Sequence, residues 1–421
     1  MFWEGDRVDA HNKWRRLLLD HYSPKPGGKP VLIPFIGSGW GALPEAEQIK
    51  RLRWYHDNQL PIECFWIDAG WSGKTGPIGS WPENAAIRVP NPDYYPNGLK
   101  PISDEAHKCG MKFLLWTWPN RALPGVGVGQ EHPEWIVNGE AVDHGNPDTN
   151  EWLIEENLRL IREQGIDIYR QDGYPVYPPD SGPDRAGINQ IRHFVAFYRF
   201  WDALLERYPN LIIDNCSGGG RKIDLETISR SVCLWRSDYQ VPMYDPIGMQ
   251  GQTYGLSFWV PLSAGFARTT DAYSFRSGYS PGMAVGYTDI LTTVYGEDYA
   301  KLFNYEEGRR EMNNYLSVRS CFYGDYYPLT CYSVASDVWM AWQFDRPEVG
   351  TGLVQAFRRP DSIYESARFR LTGLVSEARY EVTDIDEKKP RVMSGADLMN
   401  DGLRITIMDK PGAVVVTYKR L

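Results

Sequence analysis

From about residue 31 onward, short apolar runs rich in β-branched residues alternate with longer stretches whose apolar positions recur at helical spacing. The runs Val31–Ile36, Glu63–Asp68, Met111–Thr117, Ile166–Asp172, Leu211–Asn215 and Val232–Asp238 predict buried strands. Between them, "PEAEQIKRLRWYHDN", "PISDEAHKCG", "NEWLIEENLRLIREQG" and "NQIRHFVAFYRFWDALLERYP" predict amphipathic helices. In the third of these, Trp152, Ile154, Leu158 and Ile161 share a face, and Gly165 follows as a stop signal. Strand and helix in regular succession argue for a parallel sheet. Leu256–Ala264 and Met283–Thr288 supply two more strands and bring the total to eight. Polar or aromatic groups close nearly every run: Gly37-Ser38-Gly39-Trp40, Asp68, Trp116–Trp118, Asp172, Asn215-Cys216 and Asp238. A closed barrel gathers all strand C-termini on one face, whereas an open sheet spreads them along a line, so a (β/α)8 TIM barrel is the expected architecture.

The period changes near residue 320. "YPLTCYSVASDVWMAWQF", "GLVQAFRR", "ARFRLTG", "ARYEVTD" and "GAVVVTYKR" alternate apolar and polar positions between Gly, Pro and Asp turns. This pattern predicts a C-terminal antiparallel β-sandwich. The expected domains are therefore a barrel with an N-terminal lead-in over 1–324 and a β-sandwich over 325–421. The stretch "YPPDSGPDRAG" (177–187) reads as a loop at the barrel rim.

Composition narrows the function. With 42% hydrophobic and 24% charged residues, the 421-residue chain can bury a large core. Its 54 acidic and 45 basic side chains give a net charge of −9, and no basic block tracks a phosphate backbone, so nucleic acid is not an expected partner. No apolar stretch approaches membrane-spanning length, and the charged start is unlike a signal peptide. The six cysteines form no CxxC pair, which suits reduced thiols in a cytoplasmic protein. Aromatic content is high at 14%, with 16 Trp and 26 Tyr. A large aromatic core accounts for most of these, and rings that stack on sugar faces account for some at a carbohydrate site.

Two carboxylates, Asp172 and Asp238, end apolar runs that open onto the same barrel mouth. A carboxylate pair about 5–5.5 Å apart is the device of a retaining glycosidase, and about 6.5–9.5 Å that of an inverting one. Strand alternation puts Arg170 on the face of Asp172, where a guanidinium favours the ionised carboxyl. Taken singly, a strand-end Asp is a helix cap or a rim ion-pair partner; together with Asp68 and the Trp clusters, the pair points to sugar chemistry. "NCSGGGRKIDLETI" (215–228) lacks both the P-loop ending and the dinucleotide spacing. Its glycines instead let backbone approach a ligand closely, beside Cys216 and Arg221. There is no HExxH and no GxSxG, and nothing calls for a metal or another cofactor.

In this order, the pieces resemble glycoside hydrolase family 36, the α-galactosidase (melibiase-like) group. "FWIDAGW" resembles its second-strand motif, "LLWTWPNRALPGVGVGQEHPEW" its third-strand segment, and "IYRQDG" its nucleophile strand. "CSGGGRKIDLE" and "LWRSD" are similar to its Cys-Ser-x-Gly-Gly-Arg segment and acid/base strand. "YGDYYPLT", "WQFDRPEVGTGLVQAFRR" and "FRLTGL" are similar to its C-terminal sandwich. The resemblance implies a retaining, exo-acting α-glycosidase acting on α-linked oligosaccharides or glycosides, with Asp172 as nucleophile and Asp238 as acid/base. It implies a sugar pocket lined by Trp40, Asp68, Trp71, Trp116, Arg170, Cys216, Gly219 and Arg221, and it admits a homo-oligomer. The family's usual N-terminal β-sandwich is absent, as in a short form or a fragment.

Three positions depart from the family pattern. The second Asp of the strand-two motif, which grips galactose O4 and O6 together with the first, is Ala69. The Lys-x-Asp around the nucleophile is Arg170-Gln171-Asp172, and Glu-Pro-Glu is Trp118-Pro119-Asn120. Loss of a gripping carboxylate removes discrimination. An α-N-acetylgalactosaminidase, another α-glycosidase, an α-transglycosylase and a non-catalytic carbohydrate-binding barrel therefore stay open beside the α-galactosidase.

Overall fold

The apolar runs become strands because their side chains are covered on both faces, as parallel sheets require. The computed structural model describes residues 2–74, 76, 80–238, 244–286, 303–387 and 389–421. It divides into two units, one of Tyr22–Asp238 with Val285–Ala300, the other of Met1–His21, Tyr239–Ala284 and Lys301–Leu421. The first holds five parallel strands: Phe35–Gly39 (β1), Cys64–Ile67 (β2), Lys112–Thr117 (β3), Ile168–Gln171 (β4) and Ile212–Asn215 (β5). Their order is β5-β4-β3-β2-β1, and every residue of β1, β2, β4 and β5 is buried. Helices Glu45–Asp57, Lys100–Lys108, Pro147–Gln164 and Ile188–Arg207 connect them.

The helix Pro147–Gln164 shows how the sequence sets such boundaries. Asn146 caps its start by accepting the N–H groups of Asp148 and Thr149, and Gly165 ends it at φ +67°. Its buried face is Leu153, Ile154, Asn157, Leu160 and Ile161, rotated from the face expected through Trp152 and Leu158. The rotation places Asn157 where its Oδ1 accepts the Tyr169 hydroxyl at 2.8 Å. Along β4, Tyr169 and Gln171 thus reach the surrounding helices, Gln171 by accepting the Trp201 indole N–H. Residues 168 and 170 take the opposite face. Register sets Arg170 beside Trp116 on β3 and Asp214 on β5.

Two expected strands differ. Val232–Asp238 makes a single parallel bridge, Asp214 to Val232, before leaving the ladder. The Leu234 N–H goes to the Asp214 side chain at 2.9 Å instead of to a neighbouring strand. Leu256–Ala264 begins as the last residue of the helix Pro246–Leu256, capped by Asp245, and the strand that follows is Ala264–Ala267 (β6). The run expected at Met283–Thr288 is a strand over Gly282–Val285 (β7), and Tyr287 and Thr288 lie outside the described residues. The result is a helix-wrapped, TIM-like parallel sheet followed by an antiparallel region.

In that C-terminal region a six-stranded antiparallel sheet contains Asp325–Pro328 (β8), Trp339–Arg346 (β9), Thr351–Arg358 (β10), Arg379–Asp384 (β12), Arg391–Ser394 (β13) and Gly412–Arg420 (β15). Ser366–Phe369 (β11) and Leu403–Thr406 (β14) form a separate two-stranded ribbon. Phe369, Leu403 and Ile405 of the ribbon share one core with Ala341, Val354, Ala356, Tyr380, Val382 and Val416 of the sheet. That two-layer packing closes the region around its own apolar centre. Among the described residues, no helix is long and apolar enough to cross a membrane.

Candidate active site

The strand β4 ends one residue before Asp172, whose own N–H still joins the ladder by donating to Thr117 O at 2.8 Å. Gly173 then turns the chain at φ +96°, where a Cβ would overlap the Trp118 indole. The turn leaves the Asp172 carboxylate half-buried among donors. Oδ1 accepts the N–H of Gly173 at 2.7 Å and of Gly218 at 2.8 Å, and Oδ2 accepts the Trp116 indole N–H at 3.1 Å. Burial is the largest influence on this carboxyl and opposes ionisation. The Arg170 charge and then these N–H groups outweigh it and hold Asp172 below the usual carboxylate range.

Arg170 is buried at 3% exposure, its guanidinium 4.4 Å from the Trp66 ring centre. Nη1 bonds Asp214 Oδ2, Nη2 donates to Cys216 Sγ at 3.0 Å, and Nε lies 3.3 Å from Asp68 Oδ2 as an ion pair. The family resemblance implies an arginine lining the sugar pocket; in the structure its fork is engaged by protein groups. Burial pushes the Asp214 carboxyl up, with Arg170 and the Leu234 N–H opposing, and burial also pushes the Cys216 thiol up. Asp68, partly exposed, also accepts the Ala69 N–H at 2.8 Å.

Gly218 and Gly219 link the two expected catalytic carboxylates. Ser217, Gly218, Gly219 and Gly220 carry φ of 51°, 62°, 84° and 67°, a left-handed turn closed by the Gly220 N–H on Cys216 O at 2.6 Å. L-residues resist that hand, which is why three of the four are glycine. The turn aims the Gly218 N–H at Asp172. A Cβ on Gly219 would stand 2.8 Å from Asp238 N and 3.2 Å from Asp238 Cγ, so Asp238 packs directly on that glycine. The Asp238 side chain is exposed, and its Oδ1 accepts the Trp235 indole N–H at 2.9 Å.

The remaining expected residues fall around this centre. Trp71 is buried and donates its indole N–H to Trp116 O at 2.7 Å. Trp40 and Trp116 both pack edge-on against Trp81, at ring-centre distances of 6.2 and 5.5 Å, in an apolar cluster with Ala69, Ala85 and Trp118. Arg221 is exposed beside Gly218. Sequence reasoning does not single out Asp214, Trp66, Trp81 or Trp235. The available signal for Asp214 is an acidic residue inside an otherwise apolar strand, "LIID".

Residues 10–272 match the Melibiase family, and residues 338–417 match the Glycosyl hydrolase family 36 C-terminal domain. The chain is 23% identical over 400 residues to alpha-galactosidase Mel36A of Lactobacillus acidophilus, covering 89% of this chain and 52% of that protein. It is 23% identical over 376 residues to alpha-galactosidase AgaA of Geobacillus stearothermophilus, covering 82% and 49%. The crystal structure of the latter superposes with a TM-score of 0.82 at 19% identity, over 100% of this chain and 60% of that one. That likeness carries the fold, and the chain spans about half the length of the curated relatives it matches. The chain belongs to the melibiase family, with a family 36 glycosyl hydrolase C-terminal domain over residues 338–417.

Proposed function

We propose that this chain carries the active site of a retaining, exo-acting α-glycosidase of α-galactosidase type, working on α-linked oligosaccharides or glycosides. The observation that carries the proposal is the setting of Asp172: a carboxylate fixed by Gly173, Gly218 and Trp116 N–H groups, kept ionised against its burial, with Asp238 packed on the next glycine of the same turn. Asp172 attacks the anomeric carbon while Asp238 delivers its proton to the departing glycosidic oxygen. Asp238 then takes a proton from water, which attacks the same carbon and releases Asp172, so two inversions give net retention. The donors around Asp172 suit the carboxylate that must stay ionised to attack.

Trp40, Asp68 and Arg221, with the walls made by Trp71, Trp116, Cys216 and Gly219, are proposed to form the pocket for the terminal sugar. Arg170 is proposed to act there through Asp68 and Asp172. Residues 1–324 are proposed as the catalytic domain and 325–421 as the accessory sandwich. A second reading, another α-linked sugar in place of galactose, is favoured by Ala69. It is 1% exposed within the Trp cluster and offers no side-chain hydrogen bond where a carboxylate would discriminate.

A panel of aryl α-glycosides (galactose, N-acetylgalactosamine, glucose, arabinopyranose), with a β-galactoside and Asp172→Asn as controls, tests both readings. Release from an α-glycoside that disappears in Asp172→Asn supports the proposal and names the sugar. Turnover unchanged in that variant overturns it.

A further inference from the structure

At the end of the nucleophile strand lies a small, partly open chamber, about 10 Å³, lined by Gln171, Gly173, His144, His193, Phe197 and Lys222 among others. Its walls include the two chain neighbours of Asp172, and no carboxylate contributes to them. Lys222 enters this chamber from the segment that follows the glycine turn, its Nζ 4.6 Å from the Phe197 ring centre.

His193 is buried, with Nδ1 3.0 Å from Asp143 Oδ1, so Asp143 is engaged away from the lysine. His144 Nδ1 accepts from the Asn150 amide at 3.3 Å, and burial, then the charges of His193, Lys222 and Arg88, hold this imidazole neutral. Tyr174 donates its phenol to Glu140 at 2.6 Å. Asp224, on the lysine's own segment, caps the helix Leu225–Arg230 by accepting Thr227 N–H and hydroxyl, and it also accepts the Tyr198 hydroxyl. The Cys216 thiol is kept protonated by burial. The carboxylates that act on Lys222 are Asp172 first and then Asp224, and Gln171 and Gly173, the chain neighbours of Asp172, line the same chamber as the lysine.

Resting on the reading of Asp172 as nucleophile, we propose that Lys222 is a positioning residue for it: a cation at the strand end that, with Arg170 on the barrel side, keeps the carboxylate ionised and in place. The lysine's own ionisation fits the arrangement. Burial pushes it down to about 8, and the first charge opposing that fall is Asp172.

Lys222 is protonated throughout the acid limb of activity, so removing it raises the Asp172 pKa and moves that limb to higher pH. In Lys222→Met, kcat/KM on the aryl α-glycoside cleaved by the wild type should show its acid limb raised by about 0.5–1 pH unit, a loss of about three- to tenfold at the low-pH edge. KM and the rate at pH 7 should change little, and Lys222→Arg should restore the limb. An unmoved limb in a folded Lys222→Met protein, or an Arg variant that behaves like Met, overturns the proposal. A second readout needs no turnover. After reductive ¹³C-methylation, with the Lys222 signal assigned by its absence from Lys222→Arg, Lys222 should titrate lower in Asp172→Asn than in the wild type. An unchanged midpoint refutes the coupling. If the wild type cleaves no glycoside, the functional reading fails while this titration still decides the pairing.

Discussion

Replacing Gly219 with alanine perturbs one methyl group and separates fold from function. Two effects follow from the structure. At φ +84° an L-residue sits in the left-handed region, which costs about 1–2 kcal/mol. The new Cβ would also stand 2.8 Å from Asp238 N, 3.2 Å from its Cγ and 3.3 Å from Oδ2, so Asp238 must move. A catalytic group displaced on the 1 Å scale loses about 10²-fold in rate. Gly110→Ala is the matched control: its φ is +74°, and a Cβ there meets nothing within 4 Å. Gly110→Ala should lose about 1–2 kcal/mol, a few degrees in Tm, and Gly219→Ala more than that, because its Cβ also meets the Asp238 backbone. Only Gly219→Ala should lose about 10²-fold in kcat/KM, measured on the same aryl α-glycoside at one pH. A Gly219→Ala enzyme within about threefold of Gly110→Ala in rate would refute the claim that this glycine exists to seat Asp238.

Two further predictions concern buried charge. Arg170→Met leaves Asp214, 0% exposed, without its partner and should cost about 3–5 kcal/mol in urea unfolding. Arg170→Met combined with Asp214→Leu should recover part of that loss, and simple additivity of the two single effects would count against the pairing. Asp345 lies directly across from Asp325 in the β8–β9 pair. Burial first, relieved in part by the Tyr418 hydroxyl and worsened by Asp325, pushes its carboxyl up to about 6. A raised folded-state pKa means that stability falls as pH rises from about 4 to about 6 and stays low above. Asp345→Asn should therefore gain about 1–3 kcal/mol at pH 8, read as Tm, with the gain gone by pH 4. An equal gain at both pH values would sink the electrostatic reading.

The barrel strands Met111–Thr117, Ile166–Asp172 and Leu211–Asn215 were legible because short, strongly apolar runs set between helical stretches have few other uses. Val232–Asp238 carries a similar pattern and is not a strand. Its backbone is claimed by side-chain and turn contacts, the Asp214 carboxylate on Leu234 N–H and the glycine turn packed on Trp235 and Arg236 carbonyls. Leu256–Ala264 misleads for a different reason: Asp245 caps a helix that consumes its first residue, information that lies upstream of the run. At the site, Asp172 announces itself by ending a strand, and the triple glycine by its spacing. Arg170 is visible too, but its use is not. Whether it faces a ligand or Asp214 depends on the register of β4 against β5, which alternation within one strand does not encode.

In the proposed reaction Asp172 becomes covalently bonded to the sugar. Incubating the protein with an activated fluoro-α-glycoside of the sugar it cleaves, then locating the added mass by peptide mapping, tests this most directly. One glycosyl residue per chain is expected, on the peptide containing Asp172 and absent from Asp172→Asn. A label on Asp238, or one that persists in Asp172→Asn, would contradict it.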